Sequence, residues 1–199
     1  MRIGILISGR GSNMVAIAEA VASGHIPESE VAVVISNKKN APGNDRAAEM
    51  GVPVIVIERE GRNREEHDKE IADALDAHEV EIVCLAGYMR ILSPYFVQRF
   101  PNKIVNIHPS LLPSFPGTNA VQQAIEYGVK VTGCTVHFVD EELDHGPIIE
   151  QVPVLVRVDD DEDTLSERIL EAEHGAYISA LARLCSKRIE VTGRIVKTL

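Results

Sequence analysis

A chain of 199 residues has the size of a single domain that buries roughly 70% of the surface its unfolded form exposes. Its 45% hydrophobic and 25% charged content is that of a globular protein and excludes a disordered or low-complexity chain. Thirty Asp and Glu against twenty Lys and Arg leave a net charge of −10, so the mean field repels nucleic acid and acidic membranes. Any anionic ligand then needs a local site.

In chain order, "RIGILIS" predicts a strand, "GRGSN" a turn and "MVAIAEAVASG" a helix closed by Gly24. "VAVVIS" predicts a second strand, with a helix from about Asn44 to Gly51 behind it. "VPVIVIE" is a third strand, and "NREEHDKEIADALDAH" is amphipathic at helical spacing through Ile71 and Leu75. "VEIVCLAG" and "KIVNIH" are two more strands around a helix that starts near Ser93, with Pro94 at its first position.

The rhythm changes after residue 117. A helix "AVQQAIEYG" leads to "VKVTGCTVHFV" and "GPIIEQVPVLV", two strands expected to pair antiparallel around the acidic loop "DEELDH". The run "DDDED" precedes a long helix, where Thr164 and Glu167 have capping-box spacing and the carboxylates favour the positive helix end. The tail "RIEVTGRIVKTL" predicts a terminal hairpin. The expected fold is α/β: a Rossmann-like, open, mostly parallel twisted sheet with helices on both faces and an antiparallel addition near the C-terminus, in one domain over residues 1–199.

Three widely spaced cysteines, Cys84, Cys134 and Cys185, do not suggest a disulfide framework. Met1 runs directly into the first strand without a secretory pattern, and no apolar run approaches the ~20 residues that span a bilayer. A cytoplasmic location without membrane attachment is expected.

Ligands of such sheets sit at the carboxyl ends of the strands. There Gly9 and Gly11 open the first helix, where converging backbone N–H groups suit a phosphate as readily as a plain tight turn. The segment is neither G-x-G-x-x-G nor G-x-x-x-x-G-K-[ST], and the second strand ends in Ser36-Asn37 without the acid that binds an adenosine ribose. A phosphorylated small molecule remains. Asn106 and His108 lie two apart on a strand and so face one side, ahead of a loop stiffened by Pro109 and Pro113. An amide donor beside an imidazole suits a developing oxyanion. Asp144, just before a Gly-Pro turn, is the acid best placed to reach His108 and favour its charged form. His108, His137, Asp144 and His145 carry zinc-binding chemistry, yet neither H-E-x-x-H nor paired-Cys spacing accompanies them, and no metal is expected.

The stretches "ISGRGSNM", "LAGYMRIL", "VNIHPSLLPSFPG" and "VHFVDEELDHGPII" resemble the phosphoribosylglycinamide formyltransferase family of purine synthesis, over essentially the whole chain. The resemblance implies the formyltransferase fold and 10-formyltetrahydrofolate as co-substrate, with glycinamide ribonucleotide accepting the formyl group on its primary amine. It implies Asn106, His108 and Asp144 as the catalytic trio, and Gly11, Ser12, Asn13 and Glu173 as contacts of the ribonucleotide. It further implies Arg64, Met89, Arg90, Ile91 and Leu92 as folate contacts, together with Asn106 and, from the later loop, Asp140, Glu141 and Asp144. Read by itself, Glu173 is an exposed helical acid. The implied reaction is direct attack of the amine on the formyl carbon, with Asn106 and protonated His108 stabilising the oxyanion and a water relaying the proton.

Two positions depart from the family pattern. Leu170 stands where some members carry a Lys near the substrate phosphate, and Thr118-Asn119 replace a frequent Leu-His. Relatives with the same central motif include formyltetrahydrofolate deformylase, with its usual amino-terminal regulatory domain, and methionyl-tRNA formyltransferase, with a carboxyl-terminal RNA domain. The start at the first strand and the short tail favour the small-molecule transferase, as monomer or homodimer. A non-catalytic binding module would leave Asn106, His108 and Asp144 without a purpose.

Overall fold

The computed structural model describes residues 1–199. Its strands form a mostly parallel seven-stranded sheet and a separate two-stranded one, and the chain divides into two compact units, Met1–Val105 and Asn106–Leu199.

The first unit carries β1 (Arg2–Ile7), α1 (Ser12–Ala22), β2 (Glu30–Ser36), α2 (Pro42–Glu49), β3 (Val54–Val56), α3 (Arg64–Ala77), β4 (Ile82–Leu85) and α4 (Pro94–Arg99). β1 pairs in parallel with β2 and with β4, and β2 in parallel with β3. Ile3, Ile5, Leu6 and Ile7 of β1 are fully buried. Successive residues of a strand point to opposite faces, so this run is covered on both, as its unbroken apolar sequence predicts. The third strand is shorter than its sequence suggests, because only Val54–Val56 finds ladder partners, at Val34–Ser36.

Helix ends follow local chemistry. Ser93 caps α4 by accepting from the Phe96 N–H, with Pro94 at the first helical position. Asn63 and Glu66 form a reciprocal capping box on α3.

The second unit begins within β5 (Ile104–His108) and continues through α5 (Ala120–Tyr127), β6 (Val131–Phe138), β7 (Ile148–Leu155), α6 (Glu162–Cys185), β8 (Ile189–Thr192) and β9 (Ile195–Thr198). β6 and β7 pair antiparallel, as do β8 and β9, which are the expected tail hairpin. α6 packs on β6 and β7 and buries Leu165, Ile169, Tyr177, Ala180 and Leu181. Its cap differs from the sequence expectation. The capping box joins Asp161 and Thr164, not Thr164 and Glu167, and hydrogen bonds from the Thr164 N–H and hydroxyl hold the Asp161 carboxyl below the usual range. An acid earlier in "DDDED" had the same three-residue spacing and starts the helix one turn sooner.

One close approach sets the geometry at the end of β1. A Cβ on Gly43 would lie 2.7 Å from Ile7 Cδ1 and 2.9 Å from the Gly9 carbonyl oxygen, which also accepts from the Gly43 N–H at 3.0 Å. A Cβ on Gly9 would meet nothing within 4 Å. Gly43→Ala is therefore expected to cost about 1–3 kcal/mol by overpacking, and Gly9→Ala to stay within about 1 kcal/mol of the parent, as read by urea unfolding.

Candidate active site

At the C-terminal end of β1 the chain turns through Gly11, whose φ of +72° is open to glycine at little cost, and enters α1 with Ser12 and Asn13 in its first turn. A side chain on Gly11 would press to 3.1 Å from Gly43 Cα. The expected phosphate turn is thus two glycine backbones in contact, Gly11 and Gly43, the second of which the sequence reading did not single out. The N-terminus of α1 there carries no side-chain cap, and Asn13 is buried.

Ser8, just before that turn, organises its surroundings. Its hydroxyl donates to Asn37 Oδ1 at 2.7 Å and accepts from the Met89 N–H at 2.8 Å. Asn37, which weighs against a dinucleotide site, is therefore a brace. The segment holding Met89, Arg90, Ile91 and Leu92 is tied at its far end too, where buried Asp68 accepts from the Ser93 N–H at 2.5 Å. Between the ties, Leu92 is buried, whereas Met89 is 77% and Ile91 58% exposed. Met89 and Ile91 are thus large apolar side chains held out to solvent on a segment tied at both ends. Tyr88 is buried in the same segment, and burial pushes its phenol pKa up. Arg64, another expected folate contact, is exposed at the first position of α3.

In the second unit the three residues expected to be catalytic, Asn106, His108 and Asp144, gather around the Asp144 carboxylate. Its Oδ2 accepts from the Gly117 N–H at 2.7 Å and lies 3.4 Å from His108 Nδ1; both side chains are over nine-tenths buried. His108 Nε2 faces the Phe115 carbonyl at 2.8 Å and must donate to it. Both ring nitrogens of His108 thus face oxygen. Asn106 is linked to the pair through His137. His137 Nδ1 faces the Phe138 carbonyl at 2.8 Å and so carries the proton, which leaves Nε2 to accept from the Asn106 amide at 3.2 Å. This fixes which end of the Asn106 amide is nitrogen. Burial lowers the His137 pKa, partly opposed by the Phe138 carbonyl and the nearby Asp144, whose Oδ1 is 3.9 Å from Nε2.

The loop behind β5 is pinned from β6 and β7. Thr135 Oγ1 donates to the Ser110 carbonyl at 2.7 Å and accepts from the Leu112 N–H at 3.0 Å, while Gln151 Nε2 donates to the Leu112 carbonyl at 2.9 Å. The Leu112–Pro113 peptide is cis. The later loop is held at its base by the Phe138 N–H, which donates to the Pro147 carbonyl at 2.9 Å, and by Gly146, where a Cβ would fall 1.9 Å from the Phe138 carbonyl oxygen. Asp140 serves that loop internally, accepting from the Glu142 N–H at 3.0 Å and from His145 Nδ1 at 2.8 Å, while Glu141 is exposed.

Glu173 differs from its sequence reading. It is 8% exposed, on the face of α6 that packs on the sheet, and it adds to the burial that pushes the Cys134 thiol up to about 12. Leu170, one turn earlier, is half-buried. No group of three or more His, Cys, Asp or Glu is arranged to hold a metal ion.

Residues 1–181 match the formyl transferase family. This chain belongs to that family. It is 44% identical, over 97% of its length and 89% of the relative's, to a protein of Mycobacterium tuberculosis named phosphoribosylglycinamide formyltransferase. A crystal structure of glycinamide ribonucleotide transformylase 1 from Symbiobacterium toebii matches with a TM-score of 0.98 at 46% identity, over 100% of this chain and 94% of that one. The trifunctional purine biosynthetic protein adenosine-3 of Drosophila melanogaster is 48% identical over 92% of this chain, which spans only 14% of that protein. Formyl transferases thus share the arrangement of strands and helices described above, and no helix of this member is long and apolar enough to cross a membrane.

The buried neutral imidazole of His137 has a pH consequence. Its folded pKa lies below the ordinary imidazole value of about 6.5, so as pH falls through about 6.5 the unfolded chain binds the proton first and stability drops. Over that window the parent is expected to lose up to about 1.4 kcal/mol per pH unit more than His137→Gln, measured by urea unfolding between pH 7.5 and 5.

Proposed function

We propose that this chain transfers the formyl group of 10-formyltetrahydrofolate to the primary amine of glycinamide ribonucleotide, as a cytoplasmic enzyme of de novo purine biosynthesis acting through one domain, residues 1–199. The observation that carries this reading is the buried His108–Asp144 pair with Asn106 oriented beside it by His137, in a formyl transferase whose relatives carry that activity in their names. The amine attacks the formyl carbon, forming a C–N bond and an oxyanion. The Asn106 amide has a second N–H beyond the one given to His137, and it donates to that oxyanion. His108 supplies the other donor through its Nε2–H, which the oxyanion shares with the Phe115 carbonyl. Asp144 holds the ring in place from Nδ1. The tetrahedral intermediate collapses with cleavage of the bond to the folate nitrogen, and a water carries the amine proton to that nitrogen. Tetrahydrofolate and formylglycinamide ribonucleotide leave, and no metal or covalent enzyme intermediate takes part.

Gly11, Ser12 and Asn13 bind the ribonucleotide phosphate through the backbone end of α1, with Glu173 a further substrate contact. Arg64, Met89, Arg90, Ile91 and Leu92 hold the folate, with Asn106, Asp140, Glu141 and Asp144 as its further contacts. The exposure of Met89 and Ile91 and the two backbone ties of their segment support that assignment. With Leu170 in place of a Lys, the amino-terminal turn carries the phosphate load. The enzyme works as a monomer or homodimer, without nucleic acid.

The test is tetrahydrofolate release from 10-formyltetrahydrofolate with and without glycinamide ribonucleotide. Release that requires the ribonucleotide is expected, and equal release in its absence would assign the chain to the hydrolase instead. His108→Ala and Asp144→Asn are each expected to lower kcat about 10²-fold or more while folate binding, followed by fluorescence titration, stays within about threefold. Full turnover in either variant would remove its assigned role.

A further inference from the structure

The loop that carries Asp144 has a second tether, from outside the residues that define the family. Gly193 and Arg194 connect β8 to β9, with Gly193 at a φ of +58°, and they lie beyond residue 181, where the family match ends. Arg194 reaches from this turn to His145, the neighbour of Asp144. Its Nη2 donates to the His145 carbonyl at 2.6 Å, and its Nη1 lies 2.8 Å from His145 Nε2. Nη1 is also 3.2 Å from Nδ1, so the guanidinium lies over the face of the imidazole, while Nδ1 donates to Asp140 Oδ2 at 2.8 Å. Arg194 thus holds His145 by its carbonyl and its ring face, and His145 holds Asp140, so the three tie both ends of the loop.

Two features show why this tether acts on Asp144. Asp144 has a φ of +50°, an uncommon left-handed conformation that Asp tolerates better than most residues but that contacts from its neighbours help to keep. The loop also gathers Asp140, Glu141, Glu142 and Asp144, whose like charges push it open, and the guanidinium of Arg194 offsets that repulsion. The hairpin is itself anchored. Arg183 of α6 forms an ion pair with Glu150 of β7 and donates to Thr198 Oγ1 of β9 at 3.4 Å, and the Leu199 N–H donates to the Arg188 carbonyl at 2.8 Å. Arg194 and Asp144 also line one cavity of about 270 Å³, with Leu112, Pro113 and Pro116 of the central loop.

We propose that Arg194 is a positioning residue for the transfer reaction: through His145 it holds the 140–145 loop so that the Asp144 carboxylate stays on His108. This rests on the catalytic role given to Asp144 above. Because misplacing a catalytic group by about 1 Å costs on the order of 10²-fold in rate, a partial loosening of the loop is read in kcat.

The experiment compares Arg194→Ala, Arg194→Lys and, as a hairpin control, Lys197→Ala in the full chain. It measures kcat, the KM for each substrate, and amide hydrogen exchange of the unliganded protein. Arg194→Ala is expected to lower kcat about tenfold with the KM for glycinamide ribonucleotide within about twofold, and to speed exchange about tenfold within residues 140–145 only. Arg194→Lys, which keeps the charge and a donor for the His145 carbonyl but not the planar group over the ring, is expected to recover part of both effects, and Lys197→Ala to match the parent. Unchanged kcat, unchanged loop exchange, or faster exchange spread over the whole second unit would each overturn the proposal. If the parent fails to transfer formyl groups, the functional reading falls by itself, and exchange in the 140–145 loop still decides whether Arg194 holds it.

Discussion

The carboxylate of Asp144 is the point on which the second unit converges. Its Oδ2 takes the Gly117 N–H at 2.7 Å and faces the His108 ring at 3.4 Å, so one buried anion joins the loop after β5 to the loop between β6 and β7. A buried carboxylate is costly unless its lone pairs are met, and here a backbone donor and a histidine meet them. The neighbouring arrangement follows from that need. Gly146 lets the later loop turn back against the Phe138 carbonyl, Thr135 and Gln151 pin the central loop, and His137 fixes the Asn106 amide.

The first unit applies a similar constraint with backbone groups. Gly43 packs against the turn after β1, and Ser8 joins the end of β1 to Asn37 and Met89 by one hydroxyl that donates once and accepts once. Asp68 closes the other end of the same segment. Irregular backbone lies at the ends of these strands, and each such stretch is tied to the sheet or to a helix start. Loops held this way are suited to present side chains to a ligand without paying a large ordering cost when it binds.

Much of this was legible in the residues. The unbroken apolar runs announced strands covered on both faces, Pro94 and Ser93 announced the start of α4, and the two-residue spacing put Asn106 and His108 on one side of β5. Other features were hidden because their signal is not local. Glu173 has the sequence context of a surface acid, and only the packing of α6 on β6 and β7 buries it. The cap of α6 was displaced by one turn because several acids of "DDDED" have the spacing to serve, and backbone geometry selects Asp161. His137 entered the sequence reading only as a metal donor, whereas its partners are the Phe138 carbonyl and the Asn106 amide.

The order and kind of the elements, the chemical character of the central loop and the family can be read along the chain, because periodicity, turn residues and dense motifs are properties of neighbouring residues. The approach of Asp144 to His108 was expected from the sequence, but only the folded chain brings together Ser8 and Met89 across 81 residues and Arg194 and His145 across 49. Such pairings depend on sheet register and loop closure, where a small shift breaks a hydrogen bond, and no local pattern encodes them.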